Sequence, residues 1–420
     1  MPDSAEMAAE HPVRPDALVE GRGAWRAAST VLVVLSISYG SPLLIVVGLK
    51  PITAGLGTVR EITALAAAFT WVGTGLGGIV MGWLADRIGI RRTVMMGAVM
   101  IAAGLAVSSL GTVWALFLGH GLLLGFLGNG AVFPPLLVYI SRWFDRRRGT
   151  ALALVGSGQY IAGVVWPSVF EHAIARYGWQ WTMLGFAVVT VAMIPLIAAR
   201  YLHPAPPAAR TGPIAGHAPR GRALGLRPNL VLGLLSLAGF CCCVPMALPQ
   251  SHLVAFCTDV GIAPAQGAMM LSVMTGCAFI SRQFWGWLAD RVGGLATLMA
   301  GSACQALAIA AFLATQNEAG LFVVSAAYGL GFSGIVPAYV LVVRELFPSS
   351  EASWRVPTVL FVSMSGMAFG SWFAGALYDH FGFYAPAFAI GVIFNLANLT
   401  VVGFLLSRQG LKGRLRPAIA

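Results

Sequence analysis

Arg282 is the residue whose position most strongly indicates a functional site. It is the only charged residue in a largely apolar stretch that runs from Gly267 to Gln283. A charge inside a membrane helix costs about 2.5–3.5 kcal/mol on insertion scales, so it is kept where it faces water, a partner or a ligand. The nearest acidic residue along the chain is Asp290. We therefore predict an anion-binding site at Arg282, the alternative being a structural arginine that bonds backbone carbonyls or extends to the membrane surface.

Four further polar side chains in apolar stretches are candidates for the same site: His252, Asn129, Tyr39 and Tyr339. Imidazole titrates near neutral pH, so His252 is the candidate for both a proton site and a second contact to the anion. The alternative for His252 is a neutral ring that bonds a carbonyl. Asn129 and Tyr39 are expected to line a cavity, and Tyr339, beside Pro337, is expected either to gate that cavity or to pack.

The composition identifies a membrane protein. Of 420 residues, 58% are hydrophobic and 10% are charged, with a mean hydropathy of +0.81. The formal charge of +11 is consistent with nucleic-acid binding, but the basic residues follow membrane topology, so we predict no nucleic-acid partner. There is no Gly-rich nucleotide loop, no His/Cys cluster at metal-ligand spacing and no acidic pair inside an apolar run. These features argue against an enzyme, a metal site or a bound cofactor.

Apolar runs of about 20 residues recur along the chain and predict twelve transmembrane helices. The stretch 201–228, rich in Pro, Gly and Arg, separates six runs from the other six. We predict a disordered N-terminal segment over 1–26, six-helix bundles over 27–200 and 229–407, a linker over 201–228 and a basic tail over 408–420. Within the spans, Pro134-Pro135 and Gly334 are expected to interrupt helices, and Gly366 with Gly370 predicts close helix packing.

The basic residues set the orientation. All Lys and Arg except four fall on the side shared by both termini and the linker; Lys50, Arg60 and Arg176 lie on the opposite side, and Arg282 is embedded. Loops rich in Lys and Arg face the cytoplasm. We therefore predict that both termini are cytoplasmic.

An internal repeat relates the two halves. The segment GWLADRIG at 82–89 returns as GWLADRVG at 286–293, after the second and the eighth span. It resembles the loop motif of the major facilitator superfamily, which implies an all-α membrane protein of twelve transmembrane helices in two six-helix bundles. In that family the motif helps to hold the halves together in the outward-open state. The resemblance assigns this role to Gly82, Asp86, Arg87, Gly89, Asp290 and Arg291.

Three further segments resemble bacterial monocarboxylate transporters and the related oxalate–formate antiporters. They are Phe-Ile-Ser-Arg at 279–282, Ser-His-Leu-Val at 251–254 and Phe-Pro-Pro at 133–135. In those families the span-eight arginine binds the substrate carboxylate, which implies this role for Arg282. A guanidinium suits the role because it offers a planar pair of donors and stays charged.

The chain departs from these families at three places. The span-eleven lysine of the oxalate carrier is missing, because 356–378 contains no Lys or Arg. One central cation suits a monoanion better than a dianion. The acidic residue that animal members place before the span-eight arginine is Ala278 here, and the acidic motif of their first span is absent around Tyr39. We therefore expect a coupled proton either to pass through His252 or to travel with the substrate as neutral acid.

The sequence as a whole predicts a secondary transporter of a small monocarboxylate such as lactate or pyruvate, coupled to a proton. Its expected partners are the carboxylate anion, the proton and membrane lipid, and its expected location is a bacterial inner membrane, as a monomer. The alternatives are an organic-anion exchanger of the oxalate–formate type, a membrane sensor on the same fold, and an exporter of acidic drugs.

Overall fold

Helices make up almost all of the computed structural model, which describes residues 20–144, 147–204 and 223–414. A chain this apolar must satisfy its backbone N–H and C=O groups internally wherever lipid surrounds it, and an α-helix does so within one segment. The prediction of an all-α membrane protein is confirmed within the described residues. The predictions for 1–19, for most of the linker and for the end of the tail lie outside them.

Within the described residues, the N-terminal half contains six helices that are long and apolar enough to cross a membrane. They are α1 (Arg22–Val47), α2 (Arg60–Ile88), α3 (Ile90–Ser108), α4 (Val113–Ser141), α5 (Gly149–Tyr177) and α6 (Trp179–Tyr201). The first begins at Arg22, so 22–26 of the segment predicted to be disordered is helical. A short helix, Leu49–Gly55, connects α1 to α2.

The C-terminal half contains six more long helices. They are α7 (Pro228–Asp259), α8 (Pro264–Val292), α9 (Gly294–Ala314), α10 (Glu318–Leu346), α11 (Trp354–Phe381) and α12 (Ala385–Gln409). Five of them meet the same criterion of length and apolarity, and α8 is as long as α2 but carries Arg282. The last helix continues to Arg414, beyond the predicted end at 407. The prediction of twelve long helices, six in each half, is confirmed.

Several of these helices are irregular. Helix α10 is interrupted between Phe332 and Ile335, at the glycine-containing position that the sequence indicated. The expected interruption at Pro134-Pro135 is wrong in its position, because both prolines lie inside the helix Gly130–Ser141. The irregular part of α4 is the π-helical stretch Leu118–Asn129 directly before them. The irregular backbone therefore lies directly before the prolines and not at them.

Two helix pairs make the most extensive contacts between the halves: α2 with α11, and α5 with α8. Small residues let these helices approach closely. A β-carbon added at Gly163 of α5 would lie 2.5 Å from Thr275 Cγ2 of α8.

We call the end of the molecule that carries both GWLADR segments the basic face, and the end where α7 ends at Asp259 and α2 begins at Arg60 the opposite face.

Candidate functional site

Arg282 lies on α8 where that helix packs against α5 of the other half. Its Nη1 donates a hydrogen bond to the Tyr160 hydroxyl at 3.3 Å, and its guanidinium carbon lies 5.5 Å from the centre of the Tyr160 ring. A β-carbon added at Gly156 would lie 3.2 Å from Arg282 Nη2, so the α5 backbone passes close to the charge. The predicted central cation therefore sits at the junction of the two halves.

The charge of Arg282 has no acidic partner among the residues that the structure describes. Five ion pairs with N···O distances within 4.0 Å are found between described residues, and Arg282 belongs to none of them. Its Nε is buried and has no hydrogen-bond acceptor within the same part of the chain. Because a guanidinium without a counter-charge is costly between membrane helices, this geometry favours the binding of an anion.

Two tyrosine rings lie near the guanidinium, and each packs against a phenylalanine. Tyr39 is 7% exposed and is close enough to Tyr160 and Arg282 to interact with both electrostatically. The Tyr39 ring meets the edge of Phe133, and the Tyr160 ring meets the edge of Phe332, at centroid distances of 5.3 and 6.0 Å. These rings come from both halves and leave the Arg282 charge as the dominant electrostatic feature of an otherwise apolar region.

Asn129 lies at the end of the π-helical stretch and is 2% exposed. Its Oδ1 accepts a 2.6 Å hydrogen bond from the Ser38 hydroxyl of α1, next to Tyr39 in the chain. The structure therefore joins Asn129 to α1 beside Tyr39, where it holds α4 against α1.

His252 is fully buried in α7, but it contacts different groups from those around Arg282. Its Nε2 lies 2.8 Å from the Ser371 carbonyl oxygen of α11, and its Nδ1 lies 2.9 Å from the Tyr384 hydroxyl. Both ring nitrogens thus have protein partners. The structure joins His252 to the opposite face, so a direct contact with an anion held by Arg282 requires these bonds to break.

Tyr339 is engaged within the C-terminal half. Its hydroxyl donates to Asn398 Oδ1 of α12 at 2.9 Å, and the Asn398 amide donates to the Ser302 hydroxyl of α9 at 2.8 Å. The Tyr339 side chain is 1% exposed. Of the two roles expected for Tyr339, these contacts correspond to packing, and the structure does not bring its hydroxyl to Arg282.

The opposite face carries charged contacts between the halves. Arg60 of α2 donates from Nη2 to Asp259 Oδ1 of α7 at 2.8 Å and also from Nη1 to Asp259 Oδ2. Lys50 reaches the same carboxylate at 2.9 Å. Sequence reasoning missed this cluster, although Lys50 and Arg60 are two of only three basic residues predicted on that side. Tyr160 was missed as a partner of Arg282 because contact between helices distant in the chain leaves no local pattern.

The GWLADR repeat is preserved in three dimensions at the ends of α2 and α8. Gly89 and Gly293 follow the helices with φ of +87° and +82°, a conformation that glycine adopts without strain. Arg87 lies over the Trp83 ring at 3.9 Å, and Arg291 lies over the Trp287 ring at 4.2 Å. The repeat therefore places its residues equivalently in both halves.

The two copies nevertheless differ in the side chain that contacts them from the neighbouring helix, which is basic in the first half and acidic in the second. In the first half, Arg142 Nη2 donates to Asp86 Oδ1 at 2.9 Å. The corresponding residue of the second half is Glu345, which accepts from the Gly294 backbone N–H at 3.1 Å. Gly82, Asp86 and Arg142 also line a cavity of about 340 Å³ at the basic face. The motif thus forms an ion pair in one half and a helix cap in the other.

Comparison with known proteins agrees with this architecture. The family model of the Major Facilitator Superfamily matches residues 27–252 and 235–418. The rat (Rattus norvegicus) protein named monocarboxylate transporter 13 is 27% identical over 329 residues, which cover 76% of this chain and 74% of that protein. MFS transporter asaE of Aspergillus flavus is 24% identical over 352 residues, which cover 78% of this chain and 74% of that protein.

Solved structures share the fold at low sequence identity. The peptide transporter POT in complex with sulfate superposes with a TM-score of 0.72 at 15% identity, covering 94% of this chain and 99% of that one. A bacterial homologue of the human lysosomal transporter Spinster, inward-facing and occupied, gives a TM-score of 0.61 at 15% identity, with 91% and 94% coverage. These structures show the fold, and the family match over both halves shows that the chain belongs to the Major Facilitator Superfamily.

Proposed function

We propose that the chain is a secondary active transporter of small monocarboxylates, of the size of lactate or pyruvate, that moves the anion together with a proton. The observation that carries the proposal is the Arg282 guanidinium, which lies between the halves and has no described carboxylate within 4.0 Å. A carboxylate that binds there supplies the missing counter-charge. The name of the rat relative supports the same substrate class.

The position of Arg282 suits alternating access. Its hydroxyl partner, Tyr160, belongs to the N-terminal half, and Arg282 belongs to the C-terminal half. An anion at this junction contacts both halves, and its charge neutralises the cation before the halves rock to expose the site on the other side. Because α11 provides no second cation over 356–378, a monoanion leaves the loaded site neutral.

The proton has two routes in this proposal. It travels with the substrate as the neutral acid, or it binds to His252, whose imidazole lies at the opposite face and not beside Arg282. We further propose that the basic face is the cytoplasmic side of a bacterial inner membrane, because the excess of Lys and Arg lies on that face. We also propose that the transporter acts as a monomer.

The proposal predicts uptake that depends on the proton gradient. We expect purified protein in proteoliposomes to take up lactate or pyruvate faster when the outside is acidic, and to take up dicarboxylates such as oxalate or succinate poorly. Protein-free liposomes with the same gradient control for diffusion of the neutral acids. Uptake that ignores the gradient but requires a trapped internal anion would support the exchanger instead of the symporter. No uptake of any carboxylate in the panel contradicts the proposed substrate class.

Tyr160→Phe is expected to weaken substrate binding moderately. The change removes the hydroxyl that accepts from Arg282 Nη1 and keeps the ring against Phe332. Because a hydrogen bond to a charged group contributes about 1.5–3 kcal/mol at good geometry and this one is long, we expect KM to rise about 5- to 10-fold. Initial uptake rates over a range of substrate concentrations measure the change. An unchanged KM contradicts a role for Tyr160 in orienting the guanidinium.

A further inference from the structure

The opposite face is held closed by side chains that cross between the halves. The Asp259 carboxylate of α7 receives both terminal nitrogens of Arg60 and the ammonium of Lys50. Only 9% of the Arg60 side chain and 18% of the Asp259 side chain are exposed, so solvent weakens this pair little. Arg60 and Lys50 belong to the N-terminal half and Asp259 to the C-terminal half. The halves cannot separate at this face while the pair remains.

A second set of contacts between the halves caps the N-terminus of α2 with a side chain of α11. Asp379 of α11 accepts from the backbone N–H groups of Arg60 and Glu61 at 3.1 and 2.6 Å, at the first turn of α2. The Trp372 indole of α11 donates to Glu61 Oε1 at 2.9 Å. A carboxylate at a helix N-terminus satisfies free N–H groups and is favoured by the helix dipole. Opening this face therefore also removes the cap of α2.

Tyr384 connects this cluster to His252. Arg60 Nη1 donates to the Tyr384 hydroxyl oxygen at 3.0 Å, and that hydroxyl lies 2.9 Å from His252 Nδ1. The Ser371 carbonyl can only accept, so His252 Nε2 carries the hydrogen in their 2.8 Å bond. With the tautomer set in this way, the neutral ring accepts at Nδ1 from Tyr384. Each donor in the chain Arg60–Tyr384–His252–Ser371 then has one acceptor.

A proton on His252 disrupts this arrangement. Both ring nitrogens then donate, so the Tyr384 oxygen faces two donors and its own hydrogen loses its acceptor in a buried place. The protonated ring also brings a second positive charge towards Arg60, whose charge Asp259 already neutralises together with that of Lys50. The other charged or titratable groups of the cluster are Asp379, Glu61 and Tyr378, whose ring lies 3.6 Å below the Arg60 guanidinium.

We infer that Arg60, Lys50 and Asp259 form a latch that keeps the opposite face closed, and that a proton on His252 releases the latch through Tyr384. Protonation of His252 leaves the Tyr384 hydroxyl hydrogen without an acceptor in the closed state, so the closed state binds the proton weakly. Proton binding therefore favours the state in which the latch is open. The inference goes beyond the proposed substrate, and its test uses no substrate. It therefore stands or fails separately from the transport assay.

The distance between two spin labels across the opposite face tests the latch. Ala54, next to α2, and Ala263, at the start of α8, are exposed on the two halves. Labels are attached to cysteines at these positions in a chain with Cys277→Ala and Cys304→Ala, the native cysteines that are not buried. Double electron–electron resonance then gives the populations of closed and open states in lipid nanodiscs.

Asp259→Asn is expected to raise the ratio of open to closed molecules about tenfold or more at pH 7.5, because it removes the charge that both cations share. Glu318→Gln is the matched control, since it makes the same chemical change at an exposed residue near the same face. Lys50→Met, at a half-exposed side chain, is a milder second variant and is expected to act in the same direction. Distances that stay the same in both latch variants overturn the latch.

The proton link has its own measurement. In the labelled parent we expect the open population to grow severalfold between pH 7.5 and pH 5.5, because an imidazole that water reaches in the open state takes up a proton in this range. His252→Gln keeps an amide donor for Ser371 and an acceptor for Tyr384, so it is expected to stay closed at both pH values. Tyr384→Phe removes the connecting hydroxyl and is expected to lose the pH response. A pH response that persists in His252→Gln overturns the role of His252.

Discussion

Replacement of Arg282 by alanine is expected to abolish measurable monocarboxylate uptake while the protein still reaches the membrane. The guanidinium is the one charged group at the junction of α5 and α8 among the contacts described, and no acidic side chain is left unpaired by its removal. Loss of one partner of a desolvated charged hydrogen bond costs about 2–5 kcal/mol, which corresponds to about 30- to 4,000-fold in affinity. Substrate binding to the purified protein and uptake in proteoliposomes measure the two effects.

Two further variants separate the charge from its geometry. Arg282→Lys keeps the positive charge but lacks the planar pair of donors, so we expect an intermediate loss of uptake. Gln283→Ala, at the next and exposed residue of α8, is the control and is expected to transport normally. If Arg282→Ala binds and transports monocarboxylates as the unaltered protein does, Arg282 is a structural residue and the central proposal is wrong.

Replacement of Gly370 by valine is expected to prevent stable folding of the C-terminal half. A β-carbon at Gly370 of α11 would lie only 2.1 Å from the Val244 carbonyl oxygen of α7, and one at Gly366 would lie 2.6 Å from the Phe240 carbonyl oxygen. These atoms belong to the backbone of a neighbouring helix, which cannot move aside as a side chain can. Overpacking typically costs about 1–3 kcal/mol, and we expect the upper end or more here.

Thermal unfolding in detergent, followed by size-exclusion chromatography of heated samples, measures this loss. Gly233→Val is the matched control, because a β-carbon at that position of α7 meets no atom within 4 Å. Both substitutions place the same β-branched residue inside a membrane helix, so their difference isolates the contact between α7 and α11. Equal stability of the two variants would show that the helices separate without cost, contrary to the observed packing.

The repeated GWLADR segment shows which structural features local sequence similarity predicts and which it does not. The matching glycines, tryptophans and arginines of the two GWLADR copies predict equivalent helix ends, and the structure has them. The ion pair of Asp86 with Arg142 has no such counterpart, because the second half has Glu345 at the position of Arg142. An arginine pairs with a neighbouring aspartate, whereas a glutamate there finds a backbone N–H group. One change in the sign of a charge is enough to give equivalent positions different contacts.

The sequence by itself determined the twelve long helices, their division into halves, the close packing at Gly366 and Gly370, and the embedded charge of Arg282. These features depend on hydropathy, glycine spacing and charge along one segment, which are local properties. Only the tertiary structure decided which groups meet. It placed Tyr160 on Arg282, Tyr384 and Ser371 on His252, and Asn398 on Tyr339. Such pairs join helices far apart in the chain, and the packing of the helices selects them from many polar groups at similar depth.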